Sequence, residues 1–141
     1  MRAIQHIVIH CSATAEGKEI TAADVDKWHK AKGWDGIGYH FFIKLDGTIE
    51  LGRRIKQIGS HVAGHNKNSI GICYAGGVET DNKTPKDTRT KAQMESMKKL
   101  VQDLLKQFPT AKVVGHRDFA GVNKACPSFE VSEWLKTSKI Q

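Results

Sequence analysis

The sequence is poor in cysteine, in acidic residues and in long apolar runs, and each shortage excludes something. Its 141 residues include three cysteines, Cys11, Cys73 and Cys126. So small and odd a number argues against a disulfide framework and for reduced thiols or a metal ligand. No stretch approaches ~18 consecutive apolar residues, which excludes a transmembrane helix, and no membrane insertion is expected. The opening Met1-Arg2-Ala3-Ile4-Gln5-His6-Ile7 lacks the basic, apolar and small-residue succession of a secretory leader. Synthesis and folding in the cytoplasm are therefore expected, with another factor providing any release or export. Acidic residues number 15 against 22 Lys and Arg, a formal charge of +7. The basic balance calls for an anionic partner: nucleic acid, a lipid headgroup or a polyanionic wall polymer. No nucleic-acid recognition motif is present, so no specific nucleic acid is expected.

What is present is ordinary globular stock, 39% hydrophobic and 26% charged. The length excludes a kinase catalytic domain, a TIM barrel or a two-domain enzyme, since domains run to roughly 100–200 residues. Ile4 to Cys11 reads as a buried strand. Thr21 and Asp24 resemble a capping box opening a helix to about Lys32, with Gly33 as its left-handed stop. Phe41 to Leu45, Asp46-Gly47, then Thr48 to Leu51 specify a tight hairpin whose central residues accept positive φ. Ser69 to Ala75 is another buried strand, and polar Gly76 to Arg89 is the longest loop. Thr90 and Gln93 form a second capping box. The helix that follows carries a stripe of Met94, Met97, Leu100, Val101, Leu104 and Phe108, closed by Pro109. Ala111 to Gly115 is a short strand, and Val131 to Lys136 a last helix. Strands interleave with helices, which predicts an α/β single domain over residues 1–141, a central mixed β-sheet with flanking α-helices.

Two histidines occupy matching places. His10 follows Ile7-Val8-Ile9 and His116 follows Val113-Val114-Gly115, each at the carboxyl end of a predicted strand, where open sheets place their sites. Cys126 follows ten residues after His116. Two imidazoles and a thiolate suit zinc and leave a fourth position open, although no H-E-x-x-H or paired C-x-x-C pattern locks the assignment. A Cys–His hydrolase with Cys126 as nucleophile and His116 as base is an alternative on the same residues. A non-catalytic binding module is another. His116-Arg117-Asp118 with Asn123 also matches the kinase catalytic loop, a coincidence given the absence of every other kinase element. Tyr39 stands before the hairpin, and Lys124 lies two residues from Cys126, close enough to meet charge developing at a metal. His61 and His65 flank Gly64 in a polar loop; with Asn68 they are candidates for a substrate groove. Cys11, next to His10 on a strand, should point to the opposite face and, like Cys73, be a free thiol.

Five segments run in order along nearly the whole chain: Ile9-His10-Cys11-Ser12-Ala13-Thr14, Gly38-Tyr39-His40-Phe41, Gly59-Ser60-His61, Asn68-Ser69-Ile70-Gly71 and Lys124-Ala125-Cys126-Pro127-Ser128-Phe129. Together they resemble the type 2 N-acetylmuramoyl-L-alanine amidases, the superfamily that also contains the peptidoglycan recognition proteins. The short bacteriophage amidases historically called lysozymes are the most similar. The resemblance implies one zinc ion per chain on His10, His116 and Cys126, with Tyr39 and Lys124 as the catalytic pair. It also implies peptidoglycan as substrate, a monomer, and hydrolysis of the amide joining N-acetylmuramic acid to L-alanine. The phage enzyme carries an extension ahead of its first strand that also inhibits the phage RNA polymerase. Here the strand is expected from Ile4, so RNA polymerase inhibition is not expected.

Overall fold

A computed structural model describes residues 2–140. The apolar runs around Val8 and Ile72 become strands β1 (His6–Cys11) and β5 (Ser69–Tyr74), which pair in parallel at the middle of a five-stranded sheet. Being covered on both faces, they read as continuous apolar segments rather than alternating ones. Between them in sequence lie β2 (Thr14–Ala15), helix α1 (Ala22–Ala31), β3 (Phe41–Ile43) and β4 (Ile49–Leu51). After them come β6 (Gly77–Val78), α2 (Lys91–Gln107), β7 (Lys112–Gly115) and α3 (Val131–Thr137). The sheet order is β4-β3-β5-β1-β7, parallel except for the β3–β4 hairpin. The architecture is thus the α/β mixed sheet with flanking helices that the sequence predicts.

Alternation along the strands divides the interior in two. Ile7, Ile9, Ile70, Ile72 and Tyr74 face Met97, Leu100, Val101 and Leu104 of α2 and Trp134 of α3. On the other side Phe42 and Cys73 meet Ile20, Val25 and Ile37 around α1. Both helices open as their sequences predict. Asp24 N–H donates to Thr21 Oγ1, and Gln93 N–H to Thr90 Oγ1. Gln93 does more than cap. Fully buried, its Nε2 donates to the carbonyls of Ile43 and Ala75, which ties α2 to the sheet.

Four details differ from the sequence reading. The hairpin turn has three residues, not two. Gly47 N–H donates to Lys44 O, and only Gly47 takes positive φ (+88°), while Asp46 Oδ1 accepts from Thr48 N–H. The turn also lies against α2, where a Cβ on Gly47 would come 2.9 Å from Ala92 O. Met94, in the first turn of α2, is 37% exposed at the rim of a groove beside α3, so the buried stripe starts at Met97. The polar 76–89 loop contains β6, paired in parallel with β2. Two-residue strands leave no periodicity to read. Lastly, His116–Asp118 forms a turn of 3₁₀ helix directly after β7. Among the described residues no helix is long and apolar enough to cross a membrane.

Candidate active site

The parallel register places the two histidines together. Ile9 of β1 stands opposite Gly115 of β7, so His10 and His116, one residue on, come level at the carboxyl edge of the sheet. Their ring centroids are 4.7 Å apart. Asp118 Oδ2 accepts from Gly115 N–H at 2.7 Å, closing the 3₁₀ turn that carries His116.

Cys126 arrives from a loop held by several tethers. Arg117 N–H donates to Cys126 O, Tyr74 Oη donates to Pro127 O at 2.6 Å, and Ser128 Oγ donates to Gly77 O at 2.8 Å. Gly115 lets that loop close on β7: a Cβ there would lie 2.7 Å from Pro127 Cδ. As a result one donor atom each from His10, His116 and Cys126 lies within 4.8 Å of the other two. The backbone N–H of Cys11 points at Cys126 Sγ, 3.2 Å away, a contact that favours a thiolate. All three cysteines are free. Cys11 does turn its side chain to the face opposite His10, against Ser128, but it is not remote from the cluster, because its backbone N–H and C=O both meet Cys126 Sγ.

The electrostatics suit a cation. Burial, reinforced by His61, His116 and Lys124, holds His10 well below the usual imidazole value. His116 is lowered by burial and by Lys124. Burial first, then His40 and His116, brings His61 down to about 3. Neutral imidazoles offer lone pairs. The neighbouring Cys11 and burial push the Cys126 thiol up, so a bound cation is what would deprotonate it. Tyr39, ring centroid 5.0 Å from that of His10, is raised well above its ordinary value by burial and stays a phenol.

A pH dependence follows. In the unfolded chain these histidines protonate near ~6.5, while the fold keeps them neutral to lower pH. Below ~6.5 the unfolded state binds more protons, so stability falls as pH drops through that value toward the depressed folded ones. Thermal unfolding of chelator-treated protein should show a clearly lower midpoint at about pH 5 than at about pH 7. A flat midpoint over that range would contradict the burial of neutral imidazoles.

The cluster lies on one wall of an open cleft of about 420 Å³. Of the sequence candidates, His10, His116, Cys126, Tyr39, Lys124 and His61 all line it, with Lys124 exposed at the mouth. His65 and Asn68 do not. The His65 ring stacks on Phe119 at 4.3 Å, and Asn68 Nδ2 donates to Ala3 O, tying down the N-terminal segment. Sequence reasoning missed Trp28, Trp34 and Lys32, which also line the cleft. Both indoles are more than a third exposed, against the usual burial of tryptophan. Among the described residues lining the cleft there is no carboxylate.

A histidine–cysteine cluster at the carboxyl edge of a parallel-centred sheet, within a cleft, has the donor set of a site that could hold a metal ion. The model of the N-acetylmuramoyl-L-alanine amidase family, Amidase_2, matches residues 1–129, and the chain belongs to that family. Its activity is that of a cell-wall amidase. The endolysin of Escherichia phage T7 is 40% identical over 134 residues, covering 95% of this chain and 87% of its own. Among solved structures, the N-acetylmuramoyl-L-alanine amidase LysC from Clostridium intestinale superposes with a TM-score of 0.82 at 30% identity, covering 99% of this chain and 88% of that one. Tracheal cytotoxin bound to the ectodomain complex of peptidoglycan recognition proteins LCa and LCx gives a TM-score of 0.75 at 28% identity, over 96% and 82% of the two chains.

Proposed function

We propose that this amidase depends on one zinc ion held by His10, His116 and Cys126, and that it cuts the amide between the lactyl group of N-acetylmuramic acid and L-alanine of the stem peptide. The observation that carries the zinc reading is the convergence of three donor atoms within 4.8 Å, two of them on neutral imidazoles. Held by these three residues, zinc would supply Lewis acidity and would activate a water for attack. Every other task falls to the chain. Lys124 at the cleft mouth brings the positive charge that meets an oxyanion developing on the scissile carbonyl. The Tyr39 hydroxyl, held as a phenol beside His10, donates a hydrogen bond to the same carbonyl. Trp28 and Trp34, half-exposed in the cleft lining, offer apolar faces to the substrate. The charge of +7 suits a wall mesh that bears carboxylates and phosphates.

The Cys–His hydrolase fits less well. It leaves His10, whose ring lies 4.7 Å from that of His116, and Lys124 in the same cleft without a role. Product analysis tests the bond assignment. Digested wall should show new L-alanine amino termini and no new reducing sugar ends. Reducing ends would indicate a glycosidase, which needs a pair of carboxylates that this cleft lining lacks.

A further inference from the structure

His61 lines the cleft, yet neither of its ring nitrogens is free to face a substrate. His10 presents Nδ1 toward Cys126 Sγ, 3.9 Å away, and turns Nε2 toward His61 Nδ1, at 2.9 Å. An imidazole that gives its Nδ1 lone pair to a cation carries its proton on Nε2. That N–H of His10 then donates to His61 Nδ1. With Nδ1 accepting, His61 keeps its own proton on Nε2 and donates to Ser69 Oγ, 3.2 Å away. The hydrogen bonds run one way, from His10 through His61 to a fully buried serine.

The fold holds that ring in place. Asn66 Oδ1 accepts from the N–H groups of both His61 and Val62, at 2.9 and 2.8 Å. Gly71 of β5 leaves the room the imidazole occupies, since a Cβ there would lie 2.8 Å from His61 Cγ. The Arg2 guanidinium donates to the carbonyls of Ile55, Asn66, Lys67 and Ser69, stitching the segment that carries His61 to the sheet.

We propose that His61 is a positioning residue, which fixes the tautomer and ring orientation of His10 and so sets the affinity of the metal site, and that it does not bind substrate. The proposal rests on the zinc reading above. Partners of this kind typically change metal affinity by ~10–100-fold when removed.

The test is zinc affinity, measured by chelator competition on the full chain, for the parental protein, His61→Leu and His61→Asn. Leucine fills the space without an acceptor, and asparagine returns an oxygen near the place of Nδ1. His61→Leu should bind zinc ~10–100-fold more weakly, and His61→Asn should recover most of that loss. KM for wall fragments at saturating zinc should stay at the parental value in both. Gly71→Ala, which displaces the ring without changing a cleft residue, should weaken zinc binding in the same direction. If His61→Leu does not fold, His61→Asn and Gly71→Ala carry the comparison. Parental zinc affinity in His61→Leu overturns the proposal, as does His61→Asn binding no better than His61→Leu. A raised KM with zinc affinity intact also overturns it and makes His61 a substrate-binding residue. A parental protein that binds no zinc fails the zinc reading itself, an outcome visible before any variant is compared.

Discussion

Cys126→Ala is expected to lose zinc and wall lysis together. In the proposed site the Cys126 thiolate would be one of three protein ligands, and the one that charge-balances the ion. Removing it leaves His10 and His116, a pair too weak to hold zinc against a mild chelator. The fold loses as well. The free energy of metal binding adds to that of folding, so the zinc-loaded midpoint should fall to that of metal-free protein. The Cys11 N–H that points at Sγ also loses its acceptor, a further cost of about 1–3 kcal/mol for a buried donor. Metal analysis and a thermal scan on one preparation check both effects. Zinc retained at one per chain in Cys126→Ala would remove the cysteine from the ligand set.

Lys124→Ala should behave in the opposite way, keeping zinc and fold but losing turnover. Its ammonium is exposed at the cleft mouth, so truncation costs little stability, within about 0.5 kcal/mol for such surface positions. In the proposed mechanism it meets charge that develops in the transition state, and removing one such donor typically lowers kcat by ~10²–10³. Tyr39→Phe should show the same pattern, because the ring still packs against His10 while the hydroxyl is gone. KM should change little in either, since the interaction lost is made mainly in the transition state. A Lys124→Ala variant that lyses walls at the parental rate would reduce the lysine to a solvated neighbour of the cleft.

Much of this arrangement is legible in the sequence because it rests on local chemistry. The Thr21 and Thr90 capping boxes, the apolar runs of β1 and β5, and the positions of His10 and His116 after strand-like segments need only neighbouring residues. What is not legible depends on which strands become neighbours. The bond between His10 and His61 spans 51 residues, and it forms only because β5 lies beside β1 with Gly71 under the ring. The same holds for Gln93, whose capping role is written in Thr-x-x-Gln but whose two bonds to sheet carbonyls are not. His65 and Asn68 share their loop with His61 and look equally suited to a groove, yet backbone direction carries them to Phe119 and Ala3 instead. Trp28 and Trp34 were hidden for the converse reason. Nothing in an amphipathic pattern marks an indole left facing a cleft.

The most direct measurement is a zinc titration of metal-stripped protein, followed by the rate of wall lysis. The expectation is no lysis without metal and a linear rise in rate that ends at one zinc per chain, the stoichiometry of a single three-residue site. Full activity in protein shown to be metal-free, or activity that climbs only after a second equivalent, would contradict it.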